Sequence, residues 1–183
     1  MKNKFTLTII LLLWVVCGQT VAQDAASASQ RANQQYVLFE SERDKGGASD
    51  AMYAYLLESY QEYVKVLSAP NNASYLNGAK NRLRNMYPSL LDAAFYYSGQ
   101  KDPKVLDFAA AYIELPKLKI FQDELLPRAS NYATVVYVAA QSAYNQQKYT
   151  QAIDFFKEYL SIGDKTQEKD CYVYLNMIYM AQK

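Results

Sequence analysis

The sequence predicts an all-α protein built from antiparallel helical hairpins. Glycine is rare, with 6 residues among 183, and no segment shows the apolar/polar alternation of a half-buried strand. Apolar residues instead recur three and four positions apart along most of the chain. Short turn signals such as "PNN", "GQKDP" and "GD" separate these periodic stretches. Each stretch is therefore expected to form a helix that packs against its neighbour.

The first 22 residues have the layout of a secretory signal peptide. Two lysines precede a largely apolar run from Phe5 to Cys17, and small residues follow from Gly18 to Ala22. The apolar run of 13 residues is shorter than the roughly 20 that a helix needs to cross a bilayer. We therefore expect cleavage after Ala22 and export to the periplasm or cell envelope. No stable membrane span is expected after signal removal.

Two other interpretations of this leader remain open. One is an uncleaved membrane anchor. The other is a bacterial lipoprotein with a lipid anchor on Cys17, although Val16 stands where such a signal needs a small residue.

The charge of the mature chain argues against a nucleic-acid partner. Removal of Lys2 and Lys4 leaves 17 basic and 18 acidic residues. Nucleic-acid binding depends on a concentrated basic surface that neutralises phosphates, and a balanced chain of this kind does not predict one.

The residue types for common catalytic and metal sites are missing. The sequence has no histidine, which excludes Ser–His and Cys–His pairs and histidine metal ligands. Cys171 is the sole cysteine after the leader and is expected to be a small buried side chain. Glu40, Glu42 and Asp44 lie beside Arg43 and are interpreted as solvated helix surface. No enzymatic activity, metal or cofactor is expected.

The domain organisation follows from the turn signals. A small, polar segment, 23–33, is expected to be a flexible tether, and the helical-repeat domain is expected to span 34–183. The predicted hairpins cover about 34–67, 88–116 and 132–162, followed by an unpaired last helix at 167–182.

Two longer connections separate these hairpins. Residues 72–87 are expected to form an added or lengthened helix, and Pro88 is expected to start or kink the next one. Residues 117–130 are expected to form a short helix and a loop.

The segment from Tyr132 to Ile162 shows the clearest hairpin pattern. Its first half carries the small residues Ala139, Ala140 and Ala143, which let a second helix approach closely. Its second half is expected to bury one stripe, formed by Ala152, Ile153, Phe156 and Leu160. The opposite face is expected to be solvated and carries Gln151, Asp154, Lys157 and Glu158.

This segment resembles the tetratricopeptide repeat (TPR) family, whose unit is a helix–turn–helix of about 34 residues. The match rests on Ala140, Tyr149, Ala152 and Phe156. It departs from the family pattern at Val136, Ala139, Ala143, Tyr159 and Asp164. Two weaker matches to the same repeat pattern occur in the chain, one near Leu38 and Ala51 and the other near Leu91, Phe108, Ala111 and Pro116. The resemblance implies a degenerate TPR-like array stacked as a right-handed α-solenoid, in which first helices line a concave groove.

The expected partner-binding face is uncharged and combines tyrosine rings with amide groups. It consists of Thr134, Tyr137, Gln141, Tyr144 and Asn145 on one helix, with Tyr96 and Tyr97 in comparable places in the preceding unit. The alternative is that these tyrosines only pack between neighbouring hairpins. The leading functional hypothesis is an exported, non-catalytic scaffold that binds protein or peptide partners. The alternatives are a carrier of glycan or another nutrient at the cell envelope, and a structural fragment of a longer repeat protein.

The last helix is too apolar to end a repeat array in water. From Cys171 to Ala181 the one frankly polar residue is Asn176, whereas terminal repeats usually present a polar outer face. Leu175, Asn176 and Tyr179 take the places that Ala139, Ala140 and Ala143 take in the unit before. We expect further repeats beyond Lys183, or self-association, to cover the apolar residues Val173, Leu175, Met177, Ile178 and Met180.

Overall fold

A computed structural model describes residues 25–182 of the chain. This part is all-α, with seven α-helices and no strand, so the predicted fold class is confirmed at that level. The predicted signal peptide, 1–22, lies outside the described residues, as does Lys183. Among the helices that are described, none is both long and apolar enough to cross a membrane.

The helices follow one another with short connections, apart from one longer segment after the fourth. Their bounds are α1 25–44, α2 Asp50–Ser68, α3 Ala73–Gly99, α4 Val105–Glu114, α5 Tyr132–Asn145, α6 Tyr149–Ile162 and α7 Glu168–Ala181. Two 3₁₀ turns, Leu115–Lys117 and Lys119–Phe121, follow α4. The chain forms two compact units that divide within α3, between Asn85 and Met86.

In the first unit, α1 and α2 form an antiparallel hairpin. The turn places Gly46 and Gly47 at φ +82°, a backbone conformation that glycine adopts without strain, and the Ser49 hydroxyl caps α2 by accepting from the Met52 amide at 3.1 Å. Across the hairpin, Arg31 pairs with Glu62 at 2.8 Å. The Ser59 hydroxyl donates to the Ala32 carbonyl at 2.9 Å. The N-terminal half of α1 therefore lies beside the C-terminal half of α2, as in an antiparallel pair.

The tether prediction for 23–33 is wrong over the described residues 25–33, which are helical. Ala25, Ala28 and Ala32 are all buried, and they continue at helical spacing into Tyr36 and Phe39. The segment is small and polar in composition, but three alanines at this spacing form a narrow apolar stripe that packs closely against another helix.

The residues that carried the first weaker match to the repeat pattern do not form the core of this hairpin. Leu38 is 43% exposed and Ala51 is exposed. The buried positions are offset by one residue, at Phe39 and Met52. Such an offset turns a helix by about 100° and presents a different face to the core.

Helix α3 runs without a break from Ala73 to Gly99 with Pro88 inside it. The predicted lengthened helix at 72–87 is therefore the first part of α3, and Pro88 does not start a new helix. Proline removes one backbone donor from the helix interior, and here its side chain is exposed.

In the second unit, α5 packs against α4 on one side and against α6 on another, and α6 packs against α7. The buried stripe of α6 differs from the predicted one. Ala152 and Phe156 are buried as expected, but Phe155 and Tyr159 complete the stripe. Ile153 and Leu160 are half-buried, because the α6 surface turns towards α5 and α7 together.

The joint between α6 and α7 is built from two residues that depart from the TPR pattern. The buried Tyr159 hydroxyl donates to Asp164 Oδ1 at 2.9 Å and accepts from the Gln167 amide at 3.0 Å. Asp164 Oδ1 also accepts from the Thr166 amide at 2.7 Å. Two positions that break the family pattern thus act as one unit that fixes where α7 begins.

The long connection after α4 is anchored to α6 by Glu158, which was expected on a solvated face. Lys117 Nζ lies 2.7 Å from Glu158 Oε2 and 2.9 Å from Glu114, and the Tyr132 hydroxyl donates to Glu158 Oε1. Burial tends to lower the pKa of Lys117, but the two glutamates outweigh burial and raise it. Two 3₁₀ turns replace the predicted short helix in this segment.

Candidate functional site

Helix α7 exposes a continuous apolar surface. Two adjacent rows of residues at spacings of four and three form this α7 surface, which consists of Tyr172, Val173, Asn176, Met177, Tyr179 and Met180. The exposed fractions reach 58% at Tyr172, 48% at Met177 and 68% at Met180. Clustered exposure of this kind is typical of interaction sites, whereas single exposed apolar residues are ordinary.

Only part of the predicted C-terminal apolar set is available on this surface. Val173, Met177 and Met180 are exposed, but Leu175 and Ile178 are buried together with Cys171. Leu175 and Ile178 form the face that holds α7 onto the rest of the unit. The prediction missed Tyr172 and Tyr179, which the same helical periodicity places on the exposed side.

The residues of α5 that correspond to the α7 surface are buried or half-buried. Each lies 36 positions earlier in the chain, as with Val136 and Tyr172. The six counterparts are buried or half-buried, namely Val136, Tyr137, Ala140, Gln141, Ala143 and Tyr144. Neighbouring helices supply the cover, since α5 packs against α4 and α6 and its tyrosines reach α7. Equivalent faces of two helices in one unit are thus packed in α5 and open in α7.

The expected tyrosine face does not form one open surface. Tyr97 is 1% exposed and stacks on Phe108 with 5.3 Å between ring centroids, so it is a core residue and cannot contact a partner. Tyr96 is half-buried and meets the Tyr97 ring edge-on at 5.0 Å. Helical spacing alone could not decide which of two consecutive tyrosines points inward.

The rings of Tyr137 and Tyr144 contact aromatic residues of neighbouring helices. The Tyr137 ring lies 5.6 Å from Tyr159, and burial raises the pKa of its hydroxyl to about 12. The Tyr144 ring meets Tyr174 of α7 edge-on at 4.8 Å. Both side chains keep part of their surface exposed, but their rings hold α5, α6 and α7 together.

Two of the three remaining predicted residues border a groove in the second unit. This amide groove has a volume of about 360 Å³ and lies between α5 and the turn from α3 to α4. Gln141 and Asn145 line it, whereas Thr134 is exposed elsewhere on α5. Among the described residues, the Asn145 side chain has no hydrogen-bond partner, and Gln141 Nε2 donates to the Tyr137 hydroxyl at 3.0 Å.

Several residues of the amide groove were not predicted as site residues. Gln146 Nε2 donates to the Pro103 carbonyl at 2.8 Å and to Ser142 Oγ at 3.2 Å, which closes one end of the groove. Lys101 and Asp102 form part of the opposite wall. The sequence signal for this wall is the turn "GQKDP", which predicts a loop but does not predict that the loop lines a groove.

The candidate catalytic thiol is buried, and candidate carboxylates on α1 are joined in ion pairs. Cys171 is fully buried, and burial raises the pKa of its thiol to about 11. Glu40 pairs with Arg43 at 2.8 Å and Glu42 pairs with Lys45 at 2.6 Å on the α1 surface. Within residues 25–182, no group of three or more His, Cys, Asp or Glu side chains is arranged to hold a metal ion.

Comparison of this chain with protein-family models, with curated proteins and with solved structures finds no match.

Proposed function

We propose that the protein is a non-catalytic helical scaffold of TPR-like architecture that binds an amphipathic helix of a protein partner on the α7 surface. The observation that carries this proposal is the contrast between α5 and α7. Six positions that are buried or half-buried on α5 are exposed on α7. The leader sequence predicts export, which supports a role at the cell envelope.

The energy of the exposed side chains favours a partner. Burying a fully exposed large apolar side chain contributes about 1.5–3 kcal/mol. The five Tyr, Val and Met residues of the α7 surface are 43–68% exposed, so each contributes a fraction of that value. Association must first offset lost translational and rotational freedom. Several clustered apolar side chains can offset this cost, since a few central residues carry most of the binding energy in typical interfaces.

The shape of the surface favours a helix over an extended peptide. The α7 surface is a pair of rows with helical spacing and offers no sheet edge for an added strand. On α5 the matching rows lie against other helices, with side chains of one helix set between those of the next. A partner helix would therefore carry apolar residues at i, i+3 or i+4, and i+7.

A selection experiment tests this proposal without a known partner. A displayed library of random peptides of about 18 residues, enough for five helical turns, is selected against the purified chain from Gln23 to Lys183. We expect enriched peptides to share apolar residues at helical spacing. Their binding should fall at least tenfold against the double variant Met177→Lys and Met180→Lys.

The matched control is Val37→Lys, which adds a charge at an apolar residue of α1 that is 63% exposed. This variant should bind the selected peptides as the wild type does. Enriched peptides without helical spacing, or with equal binding to the α7 variant, would contradict the proposal. Sedimentation of the free protein gives a second readout. A dimer that the α7 variant dissociates would assign the surface to a second copy instead.

The amide groove supports a second candidate function, which is the binding of an extended peptide. Side-chain amides can donate to and accept from a peptide backbone at once, and Gln141, Asn145 and Gln146 line one wall. Alanine at Asn145 and Gln141 should then weaken an extended peptide that contacts this wall. Peptides selected against the α7 double variant test this candidate, because the groove remains while the α7 surface is changed. If none of them depends on Asn145, the groove has no such function.

A further inference from the structure

A polar pocket of about 260 Å³ lies in the first unit. Helices α1, α2 and α3 contribute its walls, and it is lined by Ser29, Asn33, Tyr63, Ser74, Tyr75, Gly78, Ala79 and Arg82. This lining contains one cation and no acidic residue. The pocket therefore has a net positive character.

Arg82 is held in place but has no carboxylate partner. Its guanidinium carbon lies 4.2 Å from the centroid of the Tyr36 ring, a contact that fixes a long side chain by attraction to the ring face. Among the described residues, no ion pair joins Arg82 to an acidic side chain. Glu62, an acid of the neighbouring α2, is already paired with Arg31 and with Lys65.

Some of the other polar groups of the pocket are hydrogen-bonded to one another, and the hydroxyls that α3 contributes are not. The buried Tyr63 hydroxyl donates to Asn33 Oδ1 at 2.8 Å, and Asn33 Nδ2 donates to the Ser29 carbonyl at 2.9 Å. Within the described part of the chain, the hydroxyls of Ser74 and Tyr75 make no hydrogen bond. The pocket thus offers unused hydroxyls beside a guanidinium that has no carboxylate partner and that also donates to the Tyr63 hydroxyl.

We propose that this pocket binds a carboxylate group of a small organic acid or of a peptide C-terminus. A guanidinium presents two parallel N–H donors that match the two oxygens of a carboxylate, and hydroxyls from Ser74 and Tyr75 complete the donor set. A single cation suits a singly charged group better than a doubly charged phosphate. The site is independent of the proposed function, because it uses other residues and another ligand chemistry.

Gly78 lines the pocket at an exposed position of α3 and offers a way to change its volume. A Cβ placed on Gly78 would meet no heavy atom within 4 Å, so a larger side chain can be introduced there without a clash at its first carbon. Gly78→Leu should therefore fill part of the pocket while Arg82 stays in place. Because leucine is also a better helix former than glycine, α3 should not be weakened by this change.

An NMR titration of backbone amides with benzoate, at fixed ionic strength, tests the site. We expect saturable shifts at Ser74, Tyr75 and Gly78 with benzoate. The neutral isostere benzamide should bind at least tenfold more weakly. Arg82→Gln should abolish the shifts and Arg82→Lys should weaken binding several-fold, because lysine keeps the charge but loses the paired donors.

Arg84→Gln is the matched control, since Arg84 lies two residues further along α3 and donates to Asn81 Oδ1 at 3.0 Å. This variant should bind benzoate as the wild type does. The proposal is overturned if benzoate gives no saturable shift, if benzamide binds equally well, or if Gly78→Leu leaves binding unchanged. Tighter binding of inorganic phosphate than of benzoate would overturn the assignment to carboxylates.

Discussion

Helices α5 and α7 have equal lengths of 14 residues and lie in the same unit, yet they meet different surroundings. Ala140 and Ala143 of α5 are fully buried, and Tyr179, the counterpart of Ala143, is 43% exposed. Small residues on α5 allow close approach of its neighbours, whereas large residues on α7 project from the unit. The same helical register is therefore packed in one helix and exposed in the other, because α5 lies against both α4 and α6 whereas α7 packs against α6.

The largest expected loss of stability comes from Phe156 of α6, whose ring lies against aromatic residues of both α5 and α7. Phe156 is fully buried and stacks on Tyr174 of α7 at 5.1 Å. Phe156→Ala should lower the free energy of unfolding by about 3–5 kcal/mol, because it removes apolar contacts and leaves a cavity. Urea denaturation gives the measurement. Met180→Ala on the α7 surface should change stability by less than about 0.5 kcal/mol, and an equal effect of the two changes would contradict the account.

The next effect compares one position directly in the two helices. Ala140→Leu should destabilise the protein by about 1–3 kcal/mol, because a larger side chain does not fit a packed interface. Asn176→Leu, at the counterpart in α7, should leave the free energy of unfolding within about 0.5 kcal/mol of the wild type. Thermal and urea unfolding of both variants provide the test. Similar losses at both positions would show that Asn176 is packed in solution.

A smaller effect is expected at the joint that positions α7. Tyr159→Phe removes a hydroxyl that bonds Asp164 and the Gln167 amide, which should cost about 1 kcal/mol. Amide hydrogen exchange should quicken in the first turn of α7 and stay unchanged in α5. Uniform quickening across both helices would show that the joint does not act locally. Tyr149→Phe is a suitable control, since it changes the same type of hydroxyl at the other end of α6.

The smallest expected effect is a pH dependence of the same joint. Hydrogen bonds from the Thr166 amide and side chain, together with the Tyr159 hydroxyl, hold the pKa of Asp164 below its usual value of 3.8. A lowered pKa in the folded state means that the carboxylate stabilises the joint above about pH 3.8, and that this contribution is lost as the pH falls through the lowered pKa. The Thr166 and Gln167 amide shifts should follow this titration by NMR. Asp164→Asn should remove it, and a midpoint at or above pH 3.8 would contradict the assignment.

Local patterns were enough to predict the helical class and the hairpin of α5 and α6. The alanines of α5 and the turn after Asn145 specify that hairpin within a short stretch of sequence. The buried stripe of α6 was less predictable, because Tyr159 contacts Tyr137 of α5 and also the Gln167 amide that precedes α7. The helix at 25–33 was missed because its stripe consists of alanines, which composition alone does not distinguish from a polar linker.

The candidate site depended on contacts that the sequence does not show. Tyr96 and Tyr97 are identical in type, and the stacking partner Phe108 decides which of them is buried. In the sequence, Tyr159 and Asp164 are two separate departures from the TPR pattern. The structure shows that a hydrogen bond joins them. The sequence predicted that α7 is apolar, because the residue types of one helix are enough to show this. It did not predict which of these residues are exposed, because exposure depends on the helices that pack beside α7.

Methionine oxidation offers the most direct test of the claim that the α7 surface is a partner site. Met177 and Met180 are exposed, whereas Met52 and Met86 are buried and serve as internal controls. In the purified chain, Met177 and Met180 should oxidise quickly and the two controls slowly. In the cells that make the protein, we expect Met177 and Met180 to be protected at least several-fold, with no change at Met52 and Met86. Equal oxidation of Met177 and Met180 in cells and in purified protein would contradict the account.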